Sequence, residues 1–165
     1  VMKEHVQHQH QPANHNHGMS HKKFILMIII SFFAMYVLMY AMVDRFENAL
    51  PNINQFYMAG LMTAAMVIIE ILIMGKMYAN KTLNRIFLGI GFVALVLFYF
   101  GIRKQTGVGD KQFLKSMIPH HAAAVLMVKE TELTDPELQK LAKEIIEAQE
   151  KEIAFMKAKL AEMSK

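Results

Sequence analysis

Residues 24–43, FILMIIISFFAMYVLMYAMV, form a stretch of 20 residues without a charged side chain. A helix of about 20 apolar residues is long enough to span the hydrocarbon core of a bilayer. Lys22 and Lys23 precede the stretch, and Asp44 and Arg45 follow it. The stretch is longer than the core of a signal peptide, and no small-residue cleavage site follows it. The sequence therefore predicts a membrane-spanning helix here.

Two further apolar segments follow, at residues 55–75 and 86–102. Glu70 is the only charged residue that interrupts the first, and basic residues close the second. Both segments have a length compatible with a transmembrane helix. We therefore predict a three-helix transmembrane region over residues 22–104, with the lipid bilayer as its first partner.

Basic residues near the predicted spans indicate an orientation. Five lie on the side of the first span's N-terminus: Lys22, Lys23, Lys76, Lys81 and Arg85. Three lie on the opposite side: Arg45, Arg103 and Lys104. Because cytoplasmic loops carry an excess of Lys and Arg, we expect the N-terminus in the cytoplasm and the C-terminal domain outside it.

The N-terminal tract, residues 1–21, is polar and rich in histidine. Its six histidines are His5, His8, His10, His15, His17 and His21. The tract has no hydrophobic period, so we predict a disordered tail. It is interpreted either as a loose binder of divalent metal or as an expression tag or extension before a natural start at Met19.

After a linker at residues 105–109, residues 110–165 predict a soluble pair of amphipathic helices. Asp110 is the expected N-cap of the first helix, and Asp135 with Pro136 marks the start of the second. The short connection makes the helices antiparallel. The predicted apolar seam of the first is Phe113, Met117, His120, Ala124, Met127 and Thr131. That of the second is Leu138, Ala142, Ile145, Gln149, Glu152, Met156 and Met163.

The pentapeptide Met117-Ile118-Pro119-His120-His121 carries the candidate chemistry of this hairpin. Folding the hairpin about Thr134 brings His120 level with Ala148 and Gln149, and Met117 level with Glu152. We expect His120 in the seam and His121 on its flank. A polar cluster in such a seam is costly unless partners or a metal satisfy it. The predicted site gathers Met117, His120, Gln149, Glu152 and Met156.

A structural interpretation stands beside the metal interpretation. A seam histidine can hydrogen-bond a Gln or Glu across the helices, and methionine at helical spacing often fills a core. The chain has 15 Met, 8 His and no Cys. Thioether and imidazole suit copper, with thioether favouring Cu(I), although other transition metals are possible. The net charge of +4 does not indicate nucleic acid. No nucleophile–base pair or cofactor fingerprint indicates an enzyme.

The pattern Asp110-x-x-Phe113-x-x-x-Met117-Ile118-Pro119-His120-His121, followed by Ala124 and Met127, resembles the signature of the family catalogued as domain of unknown function 305. Residues 141–156 are similar to its second half, and the resemblance covers roughly residues 107–163. It implies a membrane-anchored, ferritin-like, copper-associated protein of a bacterial plasma membrane, with its C-terminal domain periplasmic or extracellular. By position it implies Met117, His120, His121 and Met127 as ligands or ligand supports. The chain departs from the expected pattern at Ala122, where many relatives are expected to have a polar residue.

The predicted fold class is all-α: three transmembrane helices followed by a two-helix hairpin, which is half of a ferritin-like bundle. Because a four-helix bundle needs two such hairpins, we expect a homodimer or higher homo-oligomer. A di-iron centre is disfavoured because Glu152 is the only acidic residue level with the histidines.

Three function classes stay open from the sequence. The favoured one is copper binding in metal homeostasis or tolerance, without catalysis. The second is transport along an intramembrane stripe in which methionines precede a carboxylate: Met58, Met62, Met66 and Glu70. Methionine steps of this kind are similar to those of Ctr-type copper transporters. The third is a structural helix bundle without metal, in which Glu70 is an anchor rather than part of a pathway.

Overall fold

The computed structural model describes residues 20–164. Over this part of the chain it contains five α-helices and no β-strand. They are α1 (His21–Leu38), α2 (Ile53–Met74), α3 (Lys81–Lys104), α4 (Asp110–Glu130) and α5 (Pro136–Glu162). Two short 3₁₀ segments lie between α1 and α2, at Met39–Met42 and Phe46–Asn48. The all-α class is confirmed, and the predicted tail lies outside the described residues except for its last two.

Three helical segments are long and apolar enough to cross a membrane: His21–Met42, Ile53–Met74 and Lys81–Lys104. They agree with the predicted segments to within a few residues at most ends. The largest difference is at α3, which begins five residues before the predicted residue 86. The side chain of Asn80 accepts hydrogen bonds from the backbone of Thr82 and Leu83 there, and such a cap favours an early helix start.

Helix α2 lies between α1 and α3 and packs against both. Small buried residues of α2, Ala59, Gly60 and Ala64, allow this close approach. Gly60 lies under the ring of Phe98, where a β-carbon would come within 2.4 Å of the ring. The central position of α2 therefore depends on small side chains.

A polar network ties the three helices together at the end where α1 begins. The amide nitrogen of Asn84 donates to the carbonyl of Gly75 (2.6 Å), so the amide oxygen faces His21. His21 Nε2 donates to that oxygen at 3.0 Å. The hydroxyl of Tyr78 donates to Glu70 Oε1 at 2.9 Å. The network secures the start of α1 against the loop between α2 and α3.

The α4–α5 hairpin rests on the connection between α1 and α2. Buried residues of both helices form its core: Leu114, Ile118, Ala122, Val125, Ile153 and Met156. Val43 and Leu50 of the α1–α2 connection pack against this core. The Gln112 side chain accepts a hydrogen bond from the backbone of Ile53 (3.2 Å), at the start of α2. The hairpin therefore has a fixed attachment to the three long helices.

The two predicted caps of the hairpin have different outcomes. Asp135 accepts hydrogen bonds from the backbone of Glu137 and Leu138, at 2.8 and 3.0 Å, which confirms that it caps α5. The prediction for Asp110 is wrong. Gly109 has the extended backbone of the cap position, without a side-chain bond, and Asp110 is the first helical residue. A carboxylate in the first turn still complements the helix dipole.

The predicted seam of α4 is wrong in register. Phe113 and Met127 are 52% and 55% exposed, whereas Ile118 and Val125 are fully buried. Helix α4 has two apolar stripes. The α1–α2 connection packs against α4 beside α5, and for this reason the stripe with Ile118 and Val125 is the buried one. The α5 seam is closer to expectation at Ile145, Gln149 and Met156, which are at least partly buried, but not at exposed Leu138, Glu152 and Met163.

Candidate metal centre

The histidine pair lies in the middle of α4, which continues as a helix through the buried Pro119. Neighbouring residues on a helix project about 100° apart. His120 is exposed, whereas only 14% of the His121 side chain is exposed. The ring centroids lie 6.3 Å apart. The expectation that His120 enters the seam while His121 flanks it is therefore reversed.

His121 meets a carboxylate across the hairpin. Its Nδ1 lies 3.0 Å from Oε2 of Glu152, whose side chain is 55% exposed. The buried Nδ1 makes no aligned hydrogen bond with any described residue, so the carboxylate oxygen lies close to the ring nitrogen but out of line with it. The contact joins two groups that commonly bind metals or orient metal ligands.

The register of this contact differs from the predicted one by about one helical turn. Folding about Thr134 places Glu152 level with Met117, whereas in the structure Glu152 reaches His121. Side chains on a helix lean toward its own N-terminus. In an antiparallel pair, Glu152 therefore leans toward the hairpin turn and His121 leans away from it, and their tips meet although Glu152 is further from the turn.

The three candidate methionines occupy different environments. Met117 precedes His121 by four residues, so both lie on one face of α4, and Met117 packs against the hairpin core. Met156 is buried within that core. Met127 is exposed on the same side of α4 as His120, seven residues further along. The structure thus brings Glu152 to His121 and places Met117 one turn before His121 on the same face of α4, whereas His120 and Met127 lie on a neighbouring face.

Across residues 20–164, no three His, Asp or Glu side chains approach closely enough to surround a metal ion. The hairpin of a single chain therefore offers one imidazole, one nearby carboxylate and the thioether of Met117. Any further ligand of a metal ion here would be a group other than these three.

Comparison with known proteins places this hairpin in a family. Residues 102–160 match the family described as Domain of unknown function (DUF305). An uncharacterized protein of Acanthamoeba polyphaga mimivirus is 32% identical over 150 residues, which cover 87% of this chain and 95% of that protein. This chain belongs to the DUF305 family. Comparison with solved structures gives no match.

The DUF305 match begins near the end of α3 and covers α4 and most of α5, so the candidate site lies within it. The similarity to the mimivirus protein extends well beyond this segment. Because that relative is viral, the expectation of a bacterial plasma membrane stays a prediction. Within the DUF305 hairpin, Ala122 is completely buried in the core, so this position requires a small side chain for packing.

The methionine stripe of α2 does not have one common environment in this DUF305 protein. Met58 and Met62 are exposed on the outside of the three-helix unit, whereas Met66 and Met74 pack against the buried cluster around Phe24. Glu70 accepts the hydrogen bond of Tyr78, a contact of the kind expected for an anchor. Sequence reasoning did not single out Tyr78, because only the folded α2–α3 loop brings it back to Glu70.

Proposed function

We propose that this DUF305 protein is an integral membrane protein that binds copper through its hairpin, in metal homeostasis or tolerance and without catalysis. One observation carries the proposal: a mostly buried histidine, His121, faces the carboxylate of Glu152 at 3.0 Å. Met117 lies one turn before His121 on the same face of α4, next to the hairpin core.

The roles of the three groups follow from their chemistry. A metal-bound histidine commonly uses its second ring nitrogen to contact a carboxylate, which orients the ring. Glu152 takes that position beside Nδ1, and this leaves Nε2 of His121 to bind the metal. The Met117 thioether is a soft donor that favours Cu(I) over a harder cation such as Mg²⁺. In this arrangement Glu152 is a positioning residue, and His121 and Met117 are the ligands.

The membrane placement is supported by the three long apolar helices. More basic residues lie at the His21 end of these helices than at the end that bears the hairpin. We therefore place the N-terminus in the cytoplasm and the hairpin on the outer side. The test fuses after Lys165 a reporter enzyme that works only in the cytoplasm. Activity of this reporter would contradict the orientation.

A second copy of the chain belongs to the same proposal. Exposed side chains recur at seven-residue intervals on both hairpin helices, and each set therefore follows one helix face: Phe113, His120 and Met127 on α4, and Leu141, Ala148 and Phe155 on α5. Pairing of two hairpins through these faces would build a four-helix bundle. Light scattering of the detergent-solubilised protein tests this pairing, and a monomer at every concentration contradicts it.

Competition for Cu(I) tests the function. The 165-residue chain in detergent is titrated against a chromophoric Cu(I) chelator and compared with the double variant His120→Ala, His121→Ala. The N-terminal histidines are present in both proteins, so their contribution cancels in the comparison. We expect the double variant to lose the tight binding component. Equal copper binding by both proteins would overturn the proposal.

A further inference from the structure

A crevice separates α1 from α3 on the surface of α2. The two outer helices meet at one end, where the rings of Phe24 and Phe87 are 5.3 Å apart. At the other end Phe56 of α2 lies between Phe32 and Phe98, at ring distances of 5.4 and 5.9 Å. Between these aromatic closures lies a cavity of about 430 Å³ that is open to the side.

Hydrocarbon lines almost all of this crevice. Small residues of α2 and α3 contribute to its floor, including Gly60, Ala64, Gly91 and Ala94. Thr63 is the one lining residue with a polar side chain, and its hydroxyl donates to the carbonyl of Ala59 at 2.8 Å. The crevice therefore suits an apolar occupant that needs no hydrogen bond.

The length of the crevice is close to the thickness of one leaflet. On α1 the lining extends from Ile25 to Phe33, which corresponds to about 12 Å along the helix axis. The hydrocarbon layer of one leaflet is about 15 Å thick. The crevice therefore matches the length of an extended acyl chain within one leaflet.

Positive charge lies at the nearby end of the crevice. Lys22 is exposed and precedes Ile25 and Ile29 by three and seven residues, so it lies on the α1 face that lines the crevice. Residues 20–24 and 75–85 together contain five basic residues and no Asp or Glu. Basic residues at this level of a membrane attract anionic headgroups.

We propose that the crevice is a binding site for one anionic phospholipid. An acyl chain lies between α1 and α3, and the phosphate lies beside Lys22. The proposal rests on the placement of α1, α2 and α3 in a membrane, and it is independent of metal binding by the hairpin.

Native mass spectrometry of the 165-residue chain tests the site. The protein is released from detergent with equal amounts of phosphatidylglycerol and phosphatidylcholine of the same acyl chains. We expect one phosphatidylglycerol adduct to be retained several-fold more than phosphatidylcholine. Equal retention of the two lipids overturns the assignment of an anionic headgroup.

Paired substitutions locate the lipid. Ala94→Phe fills the crevice, whereas Val93→Phe adds the same ring at a neighbouring position that is 61% exposed and does not line the crevice. We expect the adduct to be lost in the first variant and kept in the second. Retention of the adduct by Ala94→Phe overturns the site. If Ala94→Phe changes the oligomeric mass while the lipid adduct is retained, the crevice is occupied by a second copy of the chain. That result also overturns the lipid site.

A substitution on the surface tests the site without changing the packing between the helices. Lys22→Gln should lower phosphatidylglycerol retention to the level of phosphatidylcholine, whereas Lys104→Gln, which changes an exposed lysine at the opposite end of the long helices, should not. Equal effects of the two variants contradict a phosphate beside Lys22. Copper binding by Ala94→Phe should match that of the unmodified protein, so failure of the lipid site is distinguishable from failure of the metal proposal.

Discussion

His121 Nδ1 and Glu152 Oε2, 3.0 Å apart, join the middle of α4 to the second half of α5. The contact lies beside the core of the hairpin. Ile118, one turn before His121, is fully buried, and Ile153, next to Glu152, is almost fully buried. Packing of the two helices therefore fixes the relative position of the imidazole and the carboxylate, and the site depends on the fold of the hairpin as a whole.

Glu152→Gln tests the positioning role of the carboxylate. Loss of a group that orients a metal-binding histidine typically lowers metal affinity by about 10- to 100-fold. We expect a loss of this size in a Cu(I) competition titration, with unchanged stoichiometry. Glu147→Gln, on an exposed position of the same helix, is the matched control. Equal affinities of the two variants would remove Glu152 from the site.

Ile118→Ala tests the register of α4. Truncation of a fully buried isoleucine costs about 2–5 kcal/mol of unfolding free energy. Phe113→Ala removes a larger side chain that is 52% exposed, and we expect it to cost less. Denaturant unfolding followed by circular dichroism, at concentrations where the chain is monomeric, compares them. A greater loss for Phe113→Ala would favour the seam that the sequence predicts.

The sequence was most informative where composition or a single cap decides the structure. The uncharged run 24–43 and the dipeptide Asp135-Pro136 identify the first long helix and the start of α5 without any tertiary contact. The register of α4 could not be identified in this way, because either of its two apolar stripes could be the buried one. The choice depends on Val43 and Leu50, which come from a connection far away in the sequence and have no periodic signal.

The candidate site follows the same division. The residue types at Met117, His121 and Glu152 are visible in the sequence, and so is their assignment to one hairpin. The exchange of His120 and His121 follows from the register of α4, because a shift of one residue moves a side chain by about 100°. The contact of Glu152 with His121 also depends on the direction in which side chains lean along antiparallel helices. The prediction paired residues at equal distances from the hairpin turn and did not include this lean.

Tyr78→Phe tests the polar network at the His21 end. Burial, together with the hydrogen bond to Glu70, raises the pKa of Tyr78 from 10.0 to about 12. The folded protein therefore holds the phenol proton more tightly than the unfolded chain does. This contribution to stability is present below pH 10 and is lost as the pH rises toward 12.

Tyrosinate absorbance measures this shift. The difference between the unmodified protein and Tyr78→Phe should develop only as the pH approaches 12. A Tyr78 difference that is complete near pH 10 would contradict the buried contact with Glu70.

X-ray absorption at the copper edge tests the central claim most directly, because it reports which atoms hold the metal. The 165-residue chain is loaded with one equivalent of Cu(I) and compared with Met117→Leu and His121→Ala. We predict sulfur and imidazole scattering in the unmodified protein, loss of the sulfur contribution in Met117→Leu, and loss of an imidazole contribution in His121→Ala. Identical spectra for all three proteins would place the copper elsewhere on the chain and contradict a metal site in the hairpin.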